Sequence, residues 1–101
     1  MKAYTLTEQA LDDIEVIQDY FLDRCPEFIG VLHDEFERKF QQVGRLSKLG
    51  VDSGELLQGL SRVFVRDYVV FYRHEGGKAL IVRVLHGSRD IDASLFDGSN
   101  G

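Results

Sequence analysis

Residues 62–86, RVFVRDYVVFYRHEGGKALIVRVLH, decide the fold. β-Branched and aromatic side chains dominate this stretch, and its periodicity is two rather than 3.6. Two strand-like segments, RVFVRD (62–67) and YVVFYRH (68–74), lead into Glu75-Gly76-Gly77, a turn in which glycine supplies positive φ. KALIVRVLH (78–86) then returns as the longest and most apolar strand. Period two places Ala79, Ile81, Arg83 and Leu85 on one side of it, and Leu80, Val82, Val84 and His86 on the other. A strand apolar on both sides is expected at the centre of a sheet. In the preceding strand Tyr68, Val70 and Tyr72 face one way, and Val69 and Phe71 the other.

Upstream the period lengthens. Residues 3–6 are short and extended, and Thr7 has the character of an N-cap with Glu8 in the first turn. Ala10, Ile14, Ile17 and Phe21 then recur at helical spacing, predicting a helix over about 8–23. Its other side carries Asp12, Asp13, Glu15, Asp19 and Asp23, the pattern of a solvated face. Pro26 suits the first position of a second helix, which Ile29, Leu32, Phe36, Phe40 and Val43 carry to about residue 47. So short a connection demands an antiparallel helical hairpin. Gly44 weakens its last turns. Residues 47–61 are expected to form a loop with a turn of helix at 55–58, and the tail 93–101, ending DGSNG, is expected to be disordered.

The predicted order is β-α-α-β-β-β, an α+β fold with the hairpin on one face of a mostly antiparallel sheet. Two helices cover only one sheet face. The apolar residues pointing the other way are therefore a hint of a partner. At 101 residues the chain is one domain, placed at 1–92.

Seventeen acidic against twelve basic residues give a net charge of −5, unlike a generic nucleic-acid binder. The charge is unevenly spread. Residues 1–37 hold ten acidic and two basic side chains, whereas 45–89 hold eight basic and four acidic ones. The single cysteine, Cys25, forms no internal disulfide, and the three histidines lack zinc-site spacing. Neither a metal nor another cofactor is expected. No apolar run has signal-peptide or membrane-span character, so a cytoplasmic location without membrane contact is expected.

YTLTEQALDDI (4–14), GLSRVFVRDYVVFYRHEGG (59–77) and IVRVLHGSRDI (81–91) together resemble the ParE toxins of the RelE/ParE superfamily, over residues 3–92. The resemblance implies the toxin half of a type II toxin–antitoxin module. Its partners would be a ParD-like antitoxin, in a hetero-oligomer that meets operator DNA only through the antitoxin, and DNA gyrase as target. Tyr68, Phe71, Tyr72 and Arg73 match the family's YxxFYR strand, and Arg83, His86, Gly87, Ser88, Arg89 and Asp90 its RVLHGSRD stretch. Many members read GLR where this chain has Gly59-Leu60-Ser61 followed by Arg62, and a one-residue shift reverses a strand side chain's face. Arg62, Arg66, Tyr68, Tyr72, Arg73, Arg83 and Arg89 are the implied antitoxin- or target-binding residues, with no catalytic set. The RelE branch instead cleaves mRNA, which would give Arg83, His86 and Arg89 catalytic roles. A third reading is a non-toxic co-repressor that only partners an antitoxin. Against any role in chemistry, Arg83 in an apolar strand needs a carboxylate partner, from Asp90 or the first helix, and His86 can cap its strand end.

Overall fold

The computed structural model describes residues 3–46 and 48–96. In chain order these form β1 (Tyr4–Leu6), α1 (Glu8–Arg24), α2 (Phe28–Arg45), β2 (Val51–Asp52), β3 (Ser61–Val65), β4 (Tyr68–Glu75), β5 (Lys78–His86) and a 3₁₀ turn (Ala93–Phe96). The sheet order is β1-β5-β4-β3-β2, with β1 parallel to β5 and every other pair antiparallel. The α+β architecture is the predicted one, with β5 internal, plus a short strand in the segment expected to be loop.

Local chemistry sets the boundaries. Thr7 caps α1, its Oγ1 accepting the Ala10 N–H at 3.0 Å. Pro26 lies before α2 rather than in it, because Phe28 and Ile29 donate to Cys25 and Pro26 three residues back. That tight turn reverses the chain before helical bonding begins. Gly76 and Gly77 both take positive φ (59° and 79°), a two-residue turn matched to the twist of β4 and β5. β3 stops at Val65, short of the expected Asp67, since Arg66 and Asp67 form the turn into β4 and Arg66 itself has φ of 52°.

One core lies between the hairpin and the sheet: Leu32, Phe36, Phe40 and Val43 of α2 meet Val63, Val65, Tyr68, Val70 and Tyr72. A second lies on the far face, around Val69, Phe71, Val82 and Leu85. Leu56, Leu57 and Leu60 from the β2–β3 connection cover it, with Ile91, Leu95 and Phe96 from the C-terminal segment. The apolar surplus read from the sequence as a partner surface is therefore an internal core. Residues 93–96, expected within a disordered tail, seat Phe96 there with its ring 5.0 Å from that of Phe71. The rest of the expected tail, 97–101, lies outside the described residues.

The period of two breaks inside β5. Tyr72 pairs with Ile81 but Phe71 with Arg83, so Val82 is an extra residue, a β-bulge. Val84 consequently joins Ala79 and Ile81 against the helices, and Leu85 joins Leu80 and Val82 on the far face. The face assignments drawn from strict alternation fail beyond Val82 for this reason.

The two α2 glycines make a clean contrast. A Cβ on buried Gly44 would meet Ala3 Cβ at 2.6 Å and the Ala3 carbonyl carbon at 2.8 Å, whereas one on exposed Gly30 meets nothing within 4 Å. Gly44 is thus where α2 meets Ala3, just ahead of β1, not a point of fraying. Gly44→Ala is expected to destabilise by about 1–3 kcal/mol through overpacking. Gly30→Ala should stabilise by up to about 1 kcal/mol, as helix propensity alone dictates. Urea denaturation of both variants checks the opposite signs.

Candidate functional site

β3 is an open edge. β2 pairs only with Ser61 and Arg62, which among the described residues leaves Val63–Val65 without a neighbouring strand on that side. Beside this edge runs a groove of about 890 Å³ between β3 and the outer surface of α2, bordered by Arg38, Lys39 and Arg45. Phe64, 56% exposed, lines the groove at the strand edge, its side chain leaving β3 on the face away from the helices. At one end Arg66 holds Glu35 of α2 by two hydrogen bonds of 2.7 Å. This guanidinium, assisted by Arg38, holds the Glu35 carboxyl below its ordinary range. With Glu35 ion-paired to Arg66, the cations Arg38, Lys39 and Arg45 outnumber the one other carboxylate of that wall, Glu37. The combination of free backbone edge, exposed aromatic ring and positive flank suits an extended acidic–apolar segment.

A second groove, of about 700 Å³, lies on the other side of Arg66. α1 supplies Val16 and Tyr20, α2 supplies Phe28, and the ends of β4 and β5 supply Tyr68 and His86. The rings of Tyr68 and His86 meet edge to face at 5.4 Å. Burial, reinforced by Tyr20 and Asp67 nearby, pushes the Tyr68 phenol up. His86 Nδ1 accepts the Ser88 N–H at 3.1 Å and lies 2.7 Å from Ser88 Oγ. This is the local strand-end capping anticipated for His86.

Arg83 is held elsewhere. Its Nε and Nη2 each donate to Asp13 of α1 at 2.8 Å, and its Nη1 donates to the Leu95 carbonyl at 2.8 Å. The side chains of Arg83 and Asp13 are only 12% and 11% exposed. β1 ends at Leu6, so among the described residues nothing strand-like continues along this edge of β5. Polar groups of α1 and its cap replace it: Thr7 bonds the Ile81 and Val82 carbonyls, and Asp13 accepts the Val84 N–H at 2.9 Å. Of the two carboxylate sources considered from sequence, the first helix is the one used.

The family model for the ParE toxin of type II toxin–antitoxin systems, parDE, matches residues 4–91. The chain belongs to the ParE toxin family. It is the toxin component of a toxin–antitoxin system of that type. Among solved structures, the chromosomal ParDE TA system from P. aeruginosa superposes with a TM-score of 0.70 over 85% of this chain and 96% of that one. At 16% identity that likeness speaks for the fold. No curated protein sequence matches significantly.

In this ParE toxin the seven sequence-derived binding residues do not form one cluster. Arg66 and Tyr68 share the second groove with His86, while buried Tyr72 accepts the Gly50 N–H at 2.9 Å. Arg62 pairs across the sheet with Phe71, hence faces the second core, and lies 3.9 Å from Glu55. Ser61 opposes Tyr72 on the helical side, so the one-residue shift does reverse the face. Arg73 lies 2.7 Å from Glu75, and Arg89 is exposed. Sequence reading missed Phe64, Val16, Tyr20, Glu35 and Asp13. Phe64 was detectable, since Val63 and Val65 share one face and leave it on the other. Asp13 was not, because it is one of six acids on its helix. Among the described residues there is no His/Cys/Asp/Glu group able to hold a metal, and no helix is long and apolar enough to cross a membrane.

Proposed function

We propose that this ParE toxin works by binding rather than by chemistry, poisoning DNA gyrase in the cytoplasm until a ParD-like antitoxin neutralises it. The observation that carries this reading is the state of Arg83. A ribonuclease centre needs that guanidinium free for phosphate beside His86, yet its hydrogen bonds go to Asp13 and Leu95. His86 in turn is bonded within its own turn to Ser88. Cation and acid–base group are thus committed separately, which argues against in-line attack on RNA. Neutralisation is assigned to the open edge of β3, where the antitoxin adds an acidic, apolar segment along Val63–Val65 beside Arg38 and Arg45. Arg62, Arg66, Arg73 and Arg89 supply further positive charge to partners.

The test is a supercoiling assay with purified gyrase and free toxin. Micromolar toxin should block supercoiling and accumulate cleavage complexes, and His86→Ala should retain both effects. Absence of inhibition and of cleavage complexes would remove the gyrase target while leaving neutralisation at β3 intact. Codon-clustered mRNA cleavage that disappears in His86→Ala would replace this reading with the RelE-like one. Harmless induction without antitoxin would point to the co-repressor.

A further inference from the structure

The groove between α1 and the β5 end has a chemistry opposite to that beside β3. Its exposed floor is apolar: Val16 is 68% and Tyr20 51% exposed, one helical turn apart, with Phe28 and Tyr68 behind them. Val16 is the most exposed of the large apolar side chains among the described residues. Tyr20 is held in place by Arg24, whose guanidinium lies 4.0 Å from the ring centroid and donates to the Tyr20 carbonyl at 3.3 Å. The rim is acidic. Asp12, Asp19 and Asp23 stand three or four residues from Val16 or Tyr20, on the same stretch of helix surface. Asp67 adds a carboxylate from the β3–β4 turn. None of these four carboxylates is in an ion pair among the described residues. Arg24 is the sole cation of α1.

We infer that this groove is a second protein-docking surface, and that its occupant is a basic amphipathic segment of a partner protein, with aliphatic anchors over Val16 and Tyr20 and lysines or arginines against the carboxylates. An apolar centre within a charged rim is the usual anatomy of an interface, and unpaired like charges at the rim select the partner's sign. The acidic segment suited to β3 would be repelled here. Arg66, fixed to Glu35 and lying over Phe28 at 4.9 Å, lines both grooves and forms the ridge between them. The two surfaces can therefore be occupied at once. The inference stands independently of the gyrase and antitoxin assignments.

The experiment is an NMR titration of the ¹⁵N-labelled full chain with a synthetic Leu/Lys amphipathic helical peptide and a twin carrying Glu for every Lys. The Lys peptide should bind saturably, shifting Val16, Tyr20, Phe28, Tyr68 and His86, and the Glu twin should not bind there. The double variant Val16→Ser, Tyr20→Ser changes only exposed side chains and should bind about tenfold more weakly or less. Phe64→Ser, in the other groove, should bind as the parent does. Equal binding of the two peptides would overturn the proposal. So would shifts scattered along the acidic helix without the groove residues, or undiminished binding by the double variant. Self-association of the free chain that the double variant abolishes would also overturn it, since the occupant would then be a second copy.

Discussion

Arg83→Ala will cost the fold about 3–5 kcal/mol, the loss expected when one member of a buried ion pair is removed and the other remains. For a domain whose total stability is of the order of 5–15 kcal/mol, that is a large share. Three features put this pair at the upper end. Its geometry is bidentate, with both contacts at 2.8 Å, and neither side chain is more than 12% exposed. The same Asp13 carboxylate accepts the Val84 N–H, so the charge left behind still has to stay in place. The lost guanidinium also releases the Leu95 carbonyl, and with it the hold on the C-terminal segment. Urea denaturation of Arg83→Ala, Asp13→Ala and the double variant checks this. The double variant should be well short of the sum of the singles, because the second deletion removes a charge already stranded. A loss below about 1 kcal/mol would place the pair with ordinary surface salt bridges instead.

Phe96→Ala is expected to cost about 3–5 kcal/mol, the range for truncating a buried aromatic side chain. Phe96 is buried against Phe71 in the far-face core, alongside Leu60, Val69, Val82 and Leu85. Among the described residues no α-helix covers that face, so the cavity is roofed by loop segments and the 3₁₀ turn. The backbone around Ala93–Phe96 can relax more than a helix would, which tempers the cost toward the lower end of the range. Thermal melting with a hydrophobic dye separates the outcomes. Lowered stability with increased dye binding is the expected result. An unchanged melting temperature would mean that the far face holds together on the Leu56, Leu57 and Leu60 side alone. Because Arg83 bonds Leu95, the Arg83→Ala and Phe96→Ala losses should be non-additive.

The grooves divide differently between sequence and structure. The charge split along the chain was visible as composition, acidic in the helices and basic in the sheet region. What composition could not register is that Arg38, Lys39 and Arg45 on α2 border the same groove as Phe64, while the acids of α1 border another. Arg45 belongs to the basic stretch 45–89, and Arg38 and Lys39 fall between the two stretches. Arg66 carries the same lesson, since a residue expected within a strand became the turn that ties β3 to Glu35.

The sequence by itself determined the order of the main elements, the helical hairpin, the Gly76-Gly77 turn and the double-sided β4. Each depends on residues close in sequence: an N-cap three residues from its donor, a stripe at 3.6, an alternation at two. Three decisions were left to the tertiary structure. Val82 became a bulge, which is a property of two strands and has no signature in one. Asp13 became the partner of Arg83 rather than one more solvated acid, because β1 ends at Leu6 and leaves Val84 needing an acceptor. The far sheet face was closed by two segments distant in the chain, and with that closure the apolar surplus became a core. Local pattern fixes which way a side chain leaves the backbone as far as the bulge, but only the assembled layers fix what it meets.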